Sequence, residues 1–156
     1  MSVIHLRRRQ IALLTALFLM ILGTALLLTG CLHRASDTSD MPVLSDAEQR
    51  IAYLKELGWE VAPDAVETLD LELPQPFNEA WERYAQLQTA QGFPFSDYAG
   101  ATVQRYTYAI TNYPDIEKGV QANLYLCDNL LIGGDIIFTG QGGFQKGLKD
   151  AIPAKE

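Results

Sequence analysis

No histidine follows position 33, and the chain has only two, His5 and His33. Imidazole is the common general base near neutral pH and the commonest metal ligand. A histidine-based triad and a histidine metal site are therefore excluded from everything after residue 33. Cysteine is equally scarce. Cys31 and Cys127 are the only two, too few for a thiolate zinc cluster. No catalytic residue, metal site or cofactor is expected. Cys127 falls in an apolar strand pattern and reads as a small buried residue, and a bridge between the two cysteines is not expected. Acid is absent from the first 36 positions, where Arg7, Arg8, Arg9 and Arg34 are the only basic residues. All 19 Asp and Glu lie beyond, against 8 of the 12 Lys and Arg, a net of −11. A body that acidic repels phosphate backbones, so no nucleic-acid partner is expected.

The acid-free start has its own pattern. Three arginines precede Ile11–Leu28, an uncharged apolar run of 18 residues. At about 1.5 Å per residue such a helix spans roughly 27 Å, close to one bilayer core. Basic residues stay on the cytoplasmic side, which places the chain after about residue 35 outside. The run ends in Leu28-Thr29-Gly30-Cys31, which resembles the lipobox of bacterial lipoproteins and makes Cys31 the candidate lipidation site. A retained transmembrane helix is the alternative, since a cleavable signal usually has an apolar region of only about 7–15 residues. Either way the protein is expected at the cell membrane, anchored by helix or lipid. The expected organisation is a signal or anchor segment over 1–31, a flexible linker over 32–44, and one extracytoplasmic domain over 45–152.

Within that domain, Ser45-Asp46-Ala47-Glu48 has capping-box spacing, and Ala47, Ile51, Leu54 and Leu57 recur at helical intervals up to Gly58. This predicts a first helix over about 46–57. Leu69, Leu71 and Leu73 alternate with Asp70 and Glu72 as in a half-buried strand. Pro76 suits a first helical turn, and Phe77, Ala80, Trp81, Tyr84 and Leu87 form one stripe that ends at Gly92. Three strand-like stretches follow, Thr102–Tyr113, Val120–Cys127 and Leu130–Phe138. Asp128-Asn129 fits a two-residue hairpin, and Gly133-Gly134 suggests a bulge. A short helical turn is expected around Phe144–Lys149. The fold class is α+β, two helices on one face of an antiparallel sheet of three to five strands. Its core is expected to include Ile51, Leu54, Trp81, Tyr84, Leu124 and Leu126.

The segments "YLKELGWEV", "GFPFSDYAGATVQRYTYAITNYP" and "GVQANLYLCDNLLIGGDI" resemble the domain of unknown function 4830 family, over roughly residues 50–149. That resemblance implies one compact domain on an anchor, of the kind found in small exported proteins of Gram-positive, clostridial-type bacteria. The family has no established activity, so it implies no functional residue.

Candidates for binding come from the residues themselves. Asp135 follows Gly134 in an otherwise apolar strand. Tyr106 and Tyr108 share one face of the Thr102–Tyr113 stretch, opposite Arg105 and Thr107, and tyrosines give large contact area at low entropic cost. "FTGQGGFQKG" lacks the GxxxxGK[ST] order of a phosphate loop. The expected function is a non-enzymatic module that binds a protein or an envelope component. The alternative is a carboxylate-dependent hydrolase acting on cell-wall polymer, which needs two acids facing each other across a cleft.

Overall fold

Asp46 begins the first helix, one residue later than the capping box suggests. In the computed structural model, which describes residues 40–152, its side chain accepts from Gln49 N at 2.8 Å. Gln49 in turn reaches back to accept from Ser45 N at 2.7 Å. The reciprocal pair satisfies Gln49 N, one of the donors that every helix start leaves open, and fixes the residue just before the cap. Helix α1 is Ala47–Glu56 and helix α2 is Glu79–Ala90. Asn78 caps α2 through Ala80 N and Trp81 N, at 3.0 and 3.1 Å. Pro76 therefore lies before the helix, not in its first turn.

Both helices end alike. Gly58 and Gly92 have φ of +92° and +80°, a conformation glycine takes without a Cβ penalty. Trp59 N then bonds Leu54 O at 2.9 Å, and Phe93 N bonds Gln88 O at 3.0 Å. These are Schellman closures, which direct the next side chain inward. Trp59 is wholly buried and Phe93 nearly so.

Five strands form an antiparallel meander in the order β1 to β5: Glu67–Glu72, Thr102–Ala109, Val120–Cys127, Leu130–Phe138 and Phe144–Gly147. Asp128 and Asn129 join β3 to β4 with positive φ at both, as a primed two-residue turn requires. The register shifts between Tyr125 and Leu126, which leaves Ile132 as the extra residue of a bulge just before Gly133. Phe144–Gly147 is a strand paired with β4, in place of the expected helical turn.

The α+β class, the two helices and the antiparallel sheet are those expected, and the helices divide between the two faces of the sheet. Helix α1 covers the face carrying Tyr106, Tyr108, Ala122, Leu124 and Ile136, where Leu54 and Trp59 complete the main core. Trp59 Nε1 donates to Leu148 O at 2.9 Å and ties that core to the chain after β5. Helix α2 reaches the opposite face through Tyr84, which packs against Tyr125 with centroids 5.5 Å apart, and Phe95, in the 3-10 turn after the helix, packs on both rings. A Cβ on Gly133 would lie 2.7 Å from Phe95, and one on Gly134 2.6 Å from Leu148. The bare backbone there admits close packing from both sides at once. Among the expected core residues Leu54, Leu124 and Leu126 are buried, whereas Ile51, Trp81 and Tyr84 are half-buried.

Where β5 stops, α2 continues its work with side chains. Gln88 Oε1 accepts from Gly134 N at 2.8 Å, and Gln91 Nε2 donates to Gly134 O at 3.1 Å. Gln91 Oε1 also accepts from Lys149 N at 3.0 Å. Cys127 is buried, as expected. The apolar run, Cys31 and the linker to residue 39 lie outside the described residues. Among the described residues no helix is long and apolar enough to cross a membrane.

Candidate functional site: a polar row across the sheet

Strand alternation puts Glu67, Thr107, Asn123 and Asp135 side by side in one row across β1, β2, β3 and β4. The row lies on the face away from α1, beyond the part that α2 covers. Thr107, Asn123 and Asp135 are polar yet buried, at 4%, 4% and 1% exposure, so each needs partners. Thr107 Oγ1 donates to Asn123 Oδ1 at 2.7 Å. Asn123 Nδ2 donates to Asp135 Oδ1 at 2.9 Å, and Gln145 of β5 donates to Asp135 Oδ2. The Asn123 amide is thereby locked in one orientation, acceptor toward β2 and donor toward β4.

Burial pushes the Asp135 carboxyl up from its ordinary range, while the bonds from Gln145 and Asn123 and the charge of Arg105 pull it back. Tyr125 in the neighbouring row is raised by burial and then by the Asp135 charge. Tyr84 rises well above the usual tyrosine range for the same two reasons. Arg105 pairs with Glu67 at the rim. Among the described residues the Tyr84 hydroxyl and Arg105 Nε are buried without a hydrogen-bond partner.

Above this row lies a concavity of about 320 Å³, lined by Glu67, Arg105, Thr107, Gln121 and Asn123, with Val66 and Ile137 at its margins. Its floor offers hydroxyl, amide and guanidinium groups that are already held in place. Such a surface can grip a polar partner with little further loss of side-chain freedom.

Of the candidates read from the sequence, Asp135 belongs to this row. Tyr106 and Tyr108 do not. Tyr108 is fully buried and accepts from Arg50 Nε at 3.1 Å. Tyr106 lies under the same guanidinium, 3.8 Å from its ring centroid. Both tyrosines face α1, on the core side of the sheet. Cys31 is outside the described residues. Arg105, Thr107, Asn123 and Gln145 were not singled out by sequence reasoning. The available signal was the period-two recurrence of polar residues, Arg105 and Thr107 in one strand and Gln121 and Asn123 in the next. Among the described residues no group of three or more His, Cys, Asp or Glu could hold a metal ion.

No curated protein and no solved structure matches the chain. A family match covers more than half of it, from Tyr53 in α1 to Ile136 in β4, and takes in all four members of the polar row. By that match over residues 53–136 the chain belongs to the family described as Domain of unknown function (DUF4830).

Proposed function

We propose that the protein is a non-enzymatic binding module, held at the outer face of the cell membrane by its N-terminal segment, whose groove across β1–β4 takes a protein or envelope component. The observation that carries this reading is the groove itself. Among the described residues neither helix fills the concavity over this half of the sheet, whose buried polar groups are fixed by one another. The basic start and the uncharged run Ile11–Leu28 support the membrane location, either as a retained helix or through lipid on Cys31.

The hydrolase alternative needs two carboxyls about 5–9.5 Å apart. On this face Glu67 and Asp135 are three strands apart in one row, roughly 14 Å between Cα atoms at the usual strand spacing. Glu67 is also engaged by Arg105, and Asp135 by Asn123 and Gln145. That arrangement favours binding over hydrolysis.

The test is site-specific photocross-linking of the full-length protein in its native envelope. A photoreactive residue at Gln121, in the groove, should capture a discrete partner, and Arg105→Ala should reduce the capture. The same probe at Glu48, exposed on α1, should not. Absence of any adduct from Gln121, or the same adducts from both positions, would refute the proposal.

A further inference from the structure

We infer that the outer edge of β1 is a docking site for an extended protein segment in which basic and apolar residues alternate. This goes beyond the groove and does not need it to be occupied. β1 is the first strand of the sheet, so its outer side presents alternate N–H and C=O groups to solvent. No backbone bond from Glu67–Glu72 to anything but β2 occurs among the described residues. Such an edge is a template for another strand. Proteins usually guard it with charged side chains, lysine above all, or with proline or a bulge. β1, of sequence ETLDLE, has no lysine, proline or bulge, and its charges are the carboxylates Glu67, Asp70 and Glu72, which repel acid but attract a basic strand.

The two faces of β1 specify the partner. Thr68, Asp70 and Glu72 point to one side, and Glu67, Leu69 and Leu71 to the other, by the strand alternation. Asp70 and Glu72 are exposed and belong to neither ion pair found among the described residues. On the other side Glu67 is already paired with Arg105, which leaves Leu69, 42% exposed, and the preceding Val66, 58% exposed, as apolar contacts. An added strand therefore meets acid on one face and apolar surface on the other. Lysine or arginine beside Asp70 and Glu72, with valine or leucine beside Leu69 and Leu71, completes both sets of cross-strand pairs. A second copy of β1 would instead set acid against acid, which cross-strand pairing disfavours.

The experiment uses full-length protein in a nonionic detergent and a labelled peptide of alternating lysine and valine. Alternate peptide nitrogens are methylated so that the peptide cannot stack on itself. Fluorescence anisotropy should show saturable binding, and hydrogen exchange should slow in the segment 67–72. The double variant Asp70→Lys, Glu72→Lys should weaken that peptide by about tenfold or more, through two cross-strand pairs lost and reversed, and should accept the alternating glutamate–valine peptide instead. Equal binding of a block peptide with all lysines together would show bulk charge attraction and overturn the inference. So would unchanged exchange at 67–72, or dimerisation abolished by the double variant. Failure here with persistent cross-linking from Gln121 would remove the edge and leave the groove; the converse result would do the opposite.

Discussion

Replacing Asp135 by asparagine and by alanine separates charge from hydrogen bonding at the centre of the polar row. Both variants lack the carboxylate, so the desolvation that raises its pKa cancels between them. Asparagine keeps one acceptor for Asn123 Nδ2, and its own amide can turn to Gln145, which is exposed and free to flip. Asn123 cannot flip, because its Oδ1 is held by Thr107. Alanine leaves the Asn123 donor buried with nothing to meet. An unsatisfied buried donor costs about 1–3 kcal/mol, so Asp135→Ala should be less stable than Asp135→Asn by that amount. Urea denaturation of a fragment starting at Asp40, followed by tryptophan fluorescence, measures the difference. The pH arm tests the sign. A carboxyl whose folded pKa is raised favours folding most when protonated, below its unfolded value, and that contribution is lost as pH rises through the folded pKa. Wild type should therefore lose stability relative to Asp135→Asn as pH climbs out of the ordinary carboxylate range. Equal stability of the two variants, or a wild type that gains stability relative to Asp135→Asn as pH rises, would refute the reasoning.

Trp59→Ala should cost about 3–5 kcal/mol in the same assay, as for a fully buried aromatic, and Trp81→Ala clearly less because Trp81 is half-buried. Gly92→Ala should cost about 1–2 kcal/mol through backbone strain alone, since nothing lies within 4 Å of the added methyl; a neutral result would mean the Schellman turn relaxes. Intact-mass analysis of membrane-extracted protein should find a diacylated chain starting at Cys31; an uncleaved chain starting at Met1 or Ser2 would make the anchor a retained helix. A reporter fused after Glu156 should be active outside the cytoplasm, and activity confined inside would refute the membrane-tethered reading.

What could be read from the sequence is what neighbouring residues decide among themselves. Gly58 and Gly92 end helices because a left-handed residue is a local requirement, and Asp128-Asn129 turns the chain for the same reason. The strand limits Val120–Cys127 and Leu130–Phe138 match the sequence reading residue for residue. What escaped depends on partners far along the chain. The stripe Phe77–Leu87 announces an apolar helix face but not which side of the sheet receives it; Tyr125 and the two bare glycines of β4 decide that. β5 has no strand period of its own and exists because β4 offers it an edge. Asp135 was conspicuous as an acid in an apolar strand, whereas Thr107 and Asn123 became its neighbours only through the register of three strands.

The glutamine splice at Gly134 has a consequence for assembly. A strand-adding protein with two open edges can hand its neighbour on and grow into a filament. Here, among the described residues, the far side of the sheet offers only the four residues of β5, and the stretch of β4 beyond them is plugged at Gly134 by Gln88 and Gln91 and bridged at Leu130 by Val43. Short or covered edges are poor templates. Head-to-tail growth through the sheet finds a full-length landing strip on one side and almost none on the other. The molecule is built as a terminus: capture at β1 ends in a closed pair.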